Sequence, residues 1–152
     1  MTKRDLRQKV IRQLKNFEIT EAEIDELIKK GDFNYNPERD PYSTEPYVSI
    51  KNMIEGFSEH KRYNLMCLMY LGRNISYYGF GELAVDDFCF YADKWKKDMP
   101  DDQKLPYGST DPAYLAGKKH ISRWLKLVKS EDRKSTHLNS SHNVASRMPS
   151  SA

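Results

Sequence analysis

The chain has 152 residues, 38% hydrophobic and 31% charged, with 25 Lys and Arg against 22 Asp and Glu for a formal net charge of +3. That length suits one domain around a single core. The two cysteines, Cys67 and Cys89, exclude a disulfide framework and a C-x-x-C metal or redox pair, and no apolar run nears the roughly 18 residues of a membrane span.

Helical periodicity dominates from the start. Leu6, Val10, Leu14 and Phe17 fall at spacings of four, four and three, one stripe of a helix beginning at Lys3. Its other face carries Lys3, Arg4, Arg7, Lys9, Arg12 and Lys15 against Asp5 alone. In ITEAEI, Thr20 suits an N-cap, Glu23 completes a capping box, and Ile19 and Ile24 stand at the positions of a hydrophobic staple. That second helix is expected to stop at Gly31. Residues 32–47 hold Pro37, Pro41 and Pro46 and predict a loop pinned by Tyr35, Tyr42 and Tyr47.

A third helix is expected over Val48 to Phe57, and a fourth capped by Ser58 whose run Leu65 to Leu71 is apolar nearly all round, as for a central core helix. Gly72 is expected to end it, leaving residues 73–80 as a connector. A fifth helix follows over about Glu82 to Lys97, with Val85, Phe88, Ala92 and Trp95 on one face. After another loop, Asp111 and Pro112 read as N-cap and first residue of a short helix ending at Gly117. Ile121, Trp124, Leu125 and Val128 then form the stripe of a last helix. The expected fold is all-α, a single-domain orthogonal bundle of five to seven helices. It divides into a helical pair (1–31), a loop (32–47) and core helices (48–131).

The boxes LMYLGR (Leu68 to Arg73) and YLAG (Tyr114 to Gly117), followed by ISRWLK, carry a family likeness. Over about residues 50–127 the chain resembles the bacterial domain of unknown function 3775. Tyr70 stands where that family usually has Trp, and Asn74 where an acidic residue is common. The resemblance implies a small bacterial domain whose final helix is nearly complete here. It implies no activity, cofactor or catalytic residue.

Residues 132–152 have a different character. DRKSTHLNSSH, three arbitrary residues and SRMPSSA resemble an in-frame translation of a common DNA sequencing adapter, with one departure at His137 where the adapter would give Arg. The stretch is expected to be a non-native, disordered tail, with the natural C-terminus missing beyond Glu131. Setting aside Arg133, Lys134, Arg147 and Asp132 leaves 22 cations against 21 anions, so no long-range basic field is expected.

No motif dictates a reaction. Arg73, read as a helix-terminal residue, could fork a carboxylate or phosphate, or simply complement the helix dipole. Tyr77, Tyr78 and Phe80 could line a ligand groove or cap the core. Asp32, Asn34, Asn36, Glu38 and Asp40 match alternate positions of a calcium loop, but Pro37 and Ser43 stand where its Gly and bidentate Glu belong. Asp98, Asp101 and Asp102 lack a His partner at ligand spacing, and His60 and His120 are single histidines flanked by Lys. No cofactor and no metal site is expected. The six cations of the first helix could lie on nucleic-acid phosphates, on anionic lipid or against an acidic partner, but the carboxylates of the second helix, Glu21, Glu23, Asp25 and Glu26, are expected to neutralise them.

The expectation is therefore a soluble, cytoplasmic, non-enzymatic bacterial domain that binds another protein or itself, with no membrane partner. Arg73, Tyr77, Tyr78 and Phe80 are its candidate contacts. The alternative is a small nucleic-acid-binding regulator using Lys3, Arg4, Arg7 and Arg12.

Overall fold

A computed structural model describes residues 1–31, 45–95, 110–118 and 121–144, with residues 45, 133 and 135–144 described as backbone only. Among these are seven helices and no strand: α1 (Lys3–Leu14), α2 (Glu21–Gly31), α3 (Glu45–Glu55), α4 (Glu59–Tyr78), α5 (Glu82–Ala92), α6 (Pro112–Ala116) and α7 (Ile121–Val144). None is long and apolar enough to cross a membrane.

Local chemistry sets the helix starts. Thr2 accepts from the Asp5 N–H at 3.1 Å while Asp5 reaches back to the Thr2 N–H at 3.2 Å, a capping box at the head of α1. The same reciprocal pair forms between Thr20 and Glu23, as their spacing predicts, at 2.9 and 3.1 Å. Ser58 accepts from the Lys61 N–H at 3.1 Å to open α4, and Asp111 from the Tyr114 N–H at 3.2 Å to open α6 behind Pro112. Helix α3 starts three residues earlier than expected, because Pro46 sits in its first turn, where a missing N–H costs nothing. Helix α5 ends at Ala92, short of the expected Lys97, with Trp95 beyond it packed on the core.

The main correction concerns Gly72. It does not end α4: the helix continues to Tyr78 and is closed by Gly79 at φ 82°, in the left-handed region that suits glycine. Gly72 is instead the point where α7 presses against α4. A Cβ built on it would lie 2.2 Å from the Trp124 carbonyl oxygen and 2.7 Å from its Cα. A second close approach lies at Gly31, where a Cβ would meet the Ser122 side chain at 3.0 Å. Ser122 Oγ donates to the Ile28 carbonyl beside it at 2.9 Å.

Helix α4 is the axis of the core. Tyr63 through Gly72 are all buried, and α4 packs against both α7 and α5. The stripe of α7 closes over it through Ile121, Trp124, Leu125 and Val128, each buried. Helix α1 lies along α5, α2 against α7, and α3 against α6 and α2. Asn64, only 1% exposed, accepts from two backbone N–H groups, Glu18 at 2.8 Å and Ile19 at 3.2 Å, and so ties the α1–α2 turn to the central helix. The backbone of α7 crosses position 131 without a break, and residues 145–152 of the expected tail lie outside those described.

Gly72→Ala should cost about 3 kcal/mol or more, because the intruding methyl meets backbone that cannot rotate aside. Gly81→Ala, with nothing within 4 Å of the added methyl, should cost about 1 kcal/mol or less. Urea unfolding of both variants followed by circular dichroism separates the two glycine roles.

Candidate functional site

The extension of α4 changes the setting of the expected contact residues. Arg73 lies within the helix, not at its end, and its guanidinium sits 5.3 Å from the Tyr70 ring centroid and 5.7 Å from that of Tyr77. Stacking on aromatic faces is a use of Arg that Lys does not replace well. The Tyr70 hydroxyl lies 3.3 Å from that of Tyr114, and the Lys118 ammonium sits 4.2 Å from the centre of the Tyr114 ring. Tyr70 and then Lys118, by hydrogen bonding, hold the Tyr114 phenol below its ordinary pKa. The LMYLGR and YLAG boxes thus meet in space.

Tyr77 and Tyr78 are the last two residues of α4, 62% and 68% exposed, with their rings edge to face at 6.3 Å. Phe80 is not a contact residue of that surface. It is buried, with the Arg7 guanidinium 5.5 Å from its ring centroid. The spacing of aromatics around Gly79 and Gly81 does not distinguish an outward ring from an inward one, because the turn reverses the chain between them. Two further exposed apolar residues stand on α5, Leu83 at 66% and Phe90 at 55%, two turns apart on one helical face.

The basic face of α1 divides in two. Arg7 Nε donates to Glu131 of α7 at 3.0 Å, with both side chains largely covered, so this cation belongs to the packing. Lys3, Arg4 and Arg12 are exposed, and Arg12 leans on the Gln8 carbonyl of its own helix. The expected neutralisation by the second helix does not occur. Lys9 pairs instead with Asp86 of α5 at 3.7 Å, the N-terminus with Glu82 at 3.7 Å, and Gln13 with Asp93 at 2.7 Å. These three bridges run in order along both helices, so α1 and α5 lie side by side and parallel. The carboxylates of α2 are taken by others: Glu21 and Asp25 by Lys129, Glu23 by Lys61, and Glu26 by Lys30.

His60 is half-buried, stacked at 4.7 Å on Trp95, with Nδ1 3.1 Å from Glu18 Oε2. Ser58 donates to the other Glu18 oxygen at 2.6 Å. Ser58 and His60 share the carboxylate rather than bonding each other, so the hydroxyl has no base aimed at it. The Ser58 hydrogen bond holds the Glu18 carboxyl below its ordinary pKa, burial opposes it less strongly, and the His60 hydrogen bond adds a lesser lowering. Burial pushes the Cys67 thiol up, which suits packing rather than reaction. Among the described residues no three His, Cys, Asp or Glu side chains converge as metal ligands. The calcium-loop candidates Asp32 to Asp40, the cluster Asp98, Asp101 and Asp102, and His120 lie outside the described residues.

One feature has no signal in the sequence. A cavity of about 260 Å³ opens between α1, α2, α4 and α7. Its walls include Leu14, Phe17, Ile24, Leu68, Leu125 and Val128, and its rim Lys15, Glu21, Lys129 and Asp132. Burial pushes the Asp132 carboxyl up, with Lys129 acting in the opposite sense. Closed and empty, an apolar void of this size would cost on the order of 6 kcal/mol, comparable to the whole stability of many domains. The staple residues Ile19 and Ile24 both face it, but hydrophobic pattern reports which residues turn inward and not whether they fill the space between them.

No family model, curated protein or solved structure matches the chain.

Arg7→Ala should lower stability by about 2 kcal/mol, since it removes a charged hydrogen bond from a covered Glu131 whose other oxygen keeps Lys134 at 3.1 Å, whereas Arg4→Ala should change it by about 0.5 kcal/mol or less. Thermal or urea unfolding of the two variants checks the division of the basic face. Because the folded Glu18 pKa lies below its unfolded value, its contribution is complete above the ordinary carboxylate range and lost as pH falls through the lowered folded pKa. Ser58→Ala should therefore flatten the acid limb of the stability profile as pH falls below the ordinary carboxylate range.

Proposed function

We propose that this chain is a non-enzymatic, cytoplasmic bacterial protein that works by binding protein, and that the occupant of its exposed face is a second copy of itself. The observation that carries this is the group Tyr77, Tyr78, Leu83 and Phe90, four large apolar side chains more than half exposed on consecutive helices joined by a three-residue turn. Grouped exposure of this kind marks association surfaces, and Tyr with Arg is the composition of their energetic centres. Arg73, stacked between Tyr70 and Tyr77, supplies such an Arg.

Charge favours the second copy. Helix α5 interleaves its exposed apolar residues with Glu82 and Asp86, while the neighbouring α1 presents Lys3, Arg4 and Arg12. A twofold axis through such a surface sets the cations of one copy against the acids of the other, an isologous arrangement. The free thiols Cys67 and Cys89 suit a reducing compartment, and the bacterial assignment rests on the likeness of the LMYLGR and YLAG boxes. The nucleic-acid alternative retains three exposed cations, but Arg7 is committed to Glu131, and Glu82 and Asp86 stand beside the remainder.

Sedimentation velocity from micromolar to millimolar concentration tests the proposal. The wild-type mass should rise with concentration, and Leu83→Ser combined with Phe90→Ser should hold the protein monomeric with its helix content unchanged. A wild type that stays monomeric throughout sinks the reading. If it also retards duplex DNA with a steep salt dependence, the regulator takes its place.

A further inference from the structure

We propose that the cavity between α1, α2, α4 and α7 is a binding site for a small amphipathic carboxylic acid, with its apolar body inside and its carboxylate at Lys15. The inference does not rest on self-association, since the cavity and the Tyr77–Phe90 face are formed by different residues.

Size and lining fix the body of the ligand. An apolar cavity of about 150 Å³ stays dry and admits benzene, so the space here suits a body of about eight carbons or a fused pair of rings. The walls are aliphatic apart from Phe17, and the polar groups gather at the rim.

Rim charge fixes the head. Lys129 already faces two carboxylates, Glu21 and Asp25, so its charge is met within the protein. Glu21 is correspondingly occupied, and Asp132 also has a partner within the protein. Lys15 is exposed beside the cavity, and among the described residues no hydrogen bond or ion pair engages its ammonium. Lys15 is therefore the cation at the mouth left to meet a ligand, and it favours an anionic head over an ammonium. The walls that enclose the body all come from residues 11–128, so only Asp132 belongs to the adapter-like stretch.

Titration of the methyl-labelled full chain with sodium octanoate and, separately, 1-octanol at low salt tests the site by NMR. Both should give saturable shifts at Ile11, Ile24 and Val128. Lys15→Ala should weaken octanoate by roughly two- to fivefold, the range of an exposed ion pair, and leave 1-octanol unchanged. Ile24→Phe, which fills the space, should abolish both and raise the melting temperature; Ile11→Phe serves the same purpose if the first variant does not fold. Absence of saturable shifts at the three methyls, or their survival in a folded filled variant, overturns the site. An equal effect of Lys15→Ala on both ligands, or none on octanoate, overturns the carboxylate assignment.

Discussion

The architecture depends on a contact that involves no side chain on one partner. At Gly72 the backbone of α7 rests on the backbone of α4, with Trp124 atoms where a Cβ would otherwise stand. This closeness lets α7 lay Ile121, Trp124, Leu125 and Val128 onto a helix already buried from Tyr63 to Gly72. Two residues earlier in α7, Ser122 meets Gly31 and bonds to the Ile28 carbonyl, which seats the same helix on α2. Small residues at crossing points act here as they do wherever helices must approach closely: they trade side-chain area for a shorter interaxial distance. From that seat follow the positions of Lys129 over Glu21 and Asp25 and of Glu131 beside Arg7.

Much of this was legible before any coordinates. Thr20, Ser58 and Asp111 cap the helices that their spacing assigns to them, because capping is local chemistry between residues three apart. The apolar run from Leu65 to Leu71 identifies the central helix for the same reason that it is buried. Gly72 was not legible as what it is. A glycine within an apolar helix can mark an end or a crossing, and only the partner helix, about fifty residues away in sequence, decides between them. That one ambiguity moved Arg73, Tyr77 and Tyr78 from a connector into a helix. Asn64 escaped notice because a polar residue on a helix carries no mark of the two N–H groups it will meet.

Electrostatics ties the elements together in a pattern that net charge conceals. Cations of α1 reach α5 and α7, acids of α2 reach α4 and α7, and adjacent oppositely charged helices largely ignore each other. Pairing therefore follows packing rather than sequence proximity. Exposed pairs of this kind contribute little to stability. Their effect is on which surface remains charged, and what remains is the outer side of α1 and the rim at Lys15.

Asn64 has a further consequence for how the interior communicates with solvent. By holding both Glu18 and Ile19 through one carbonyl oxygen, it welds the corner between α1 and α2 to the centre of the molecule. Two walls of the cavity meet at that corner and cannot swing apart like a hinged door. Adjustment at the mouth then falls to its long side chains, Lys15 among them, rather than to the helices. Exposed side chains change rotamer orders of magnitude faster than helices shift, so the mouth can adapt its shape while the helical frame keeps its own.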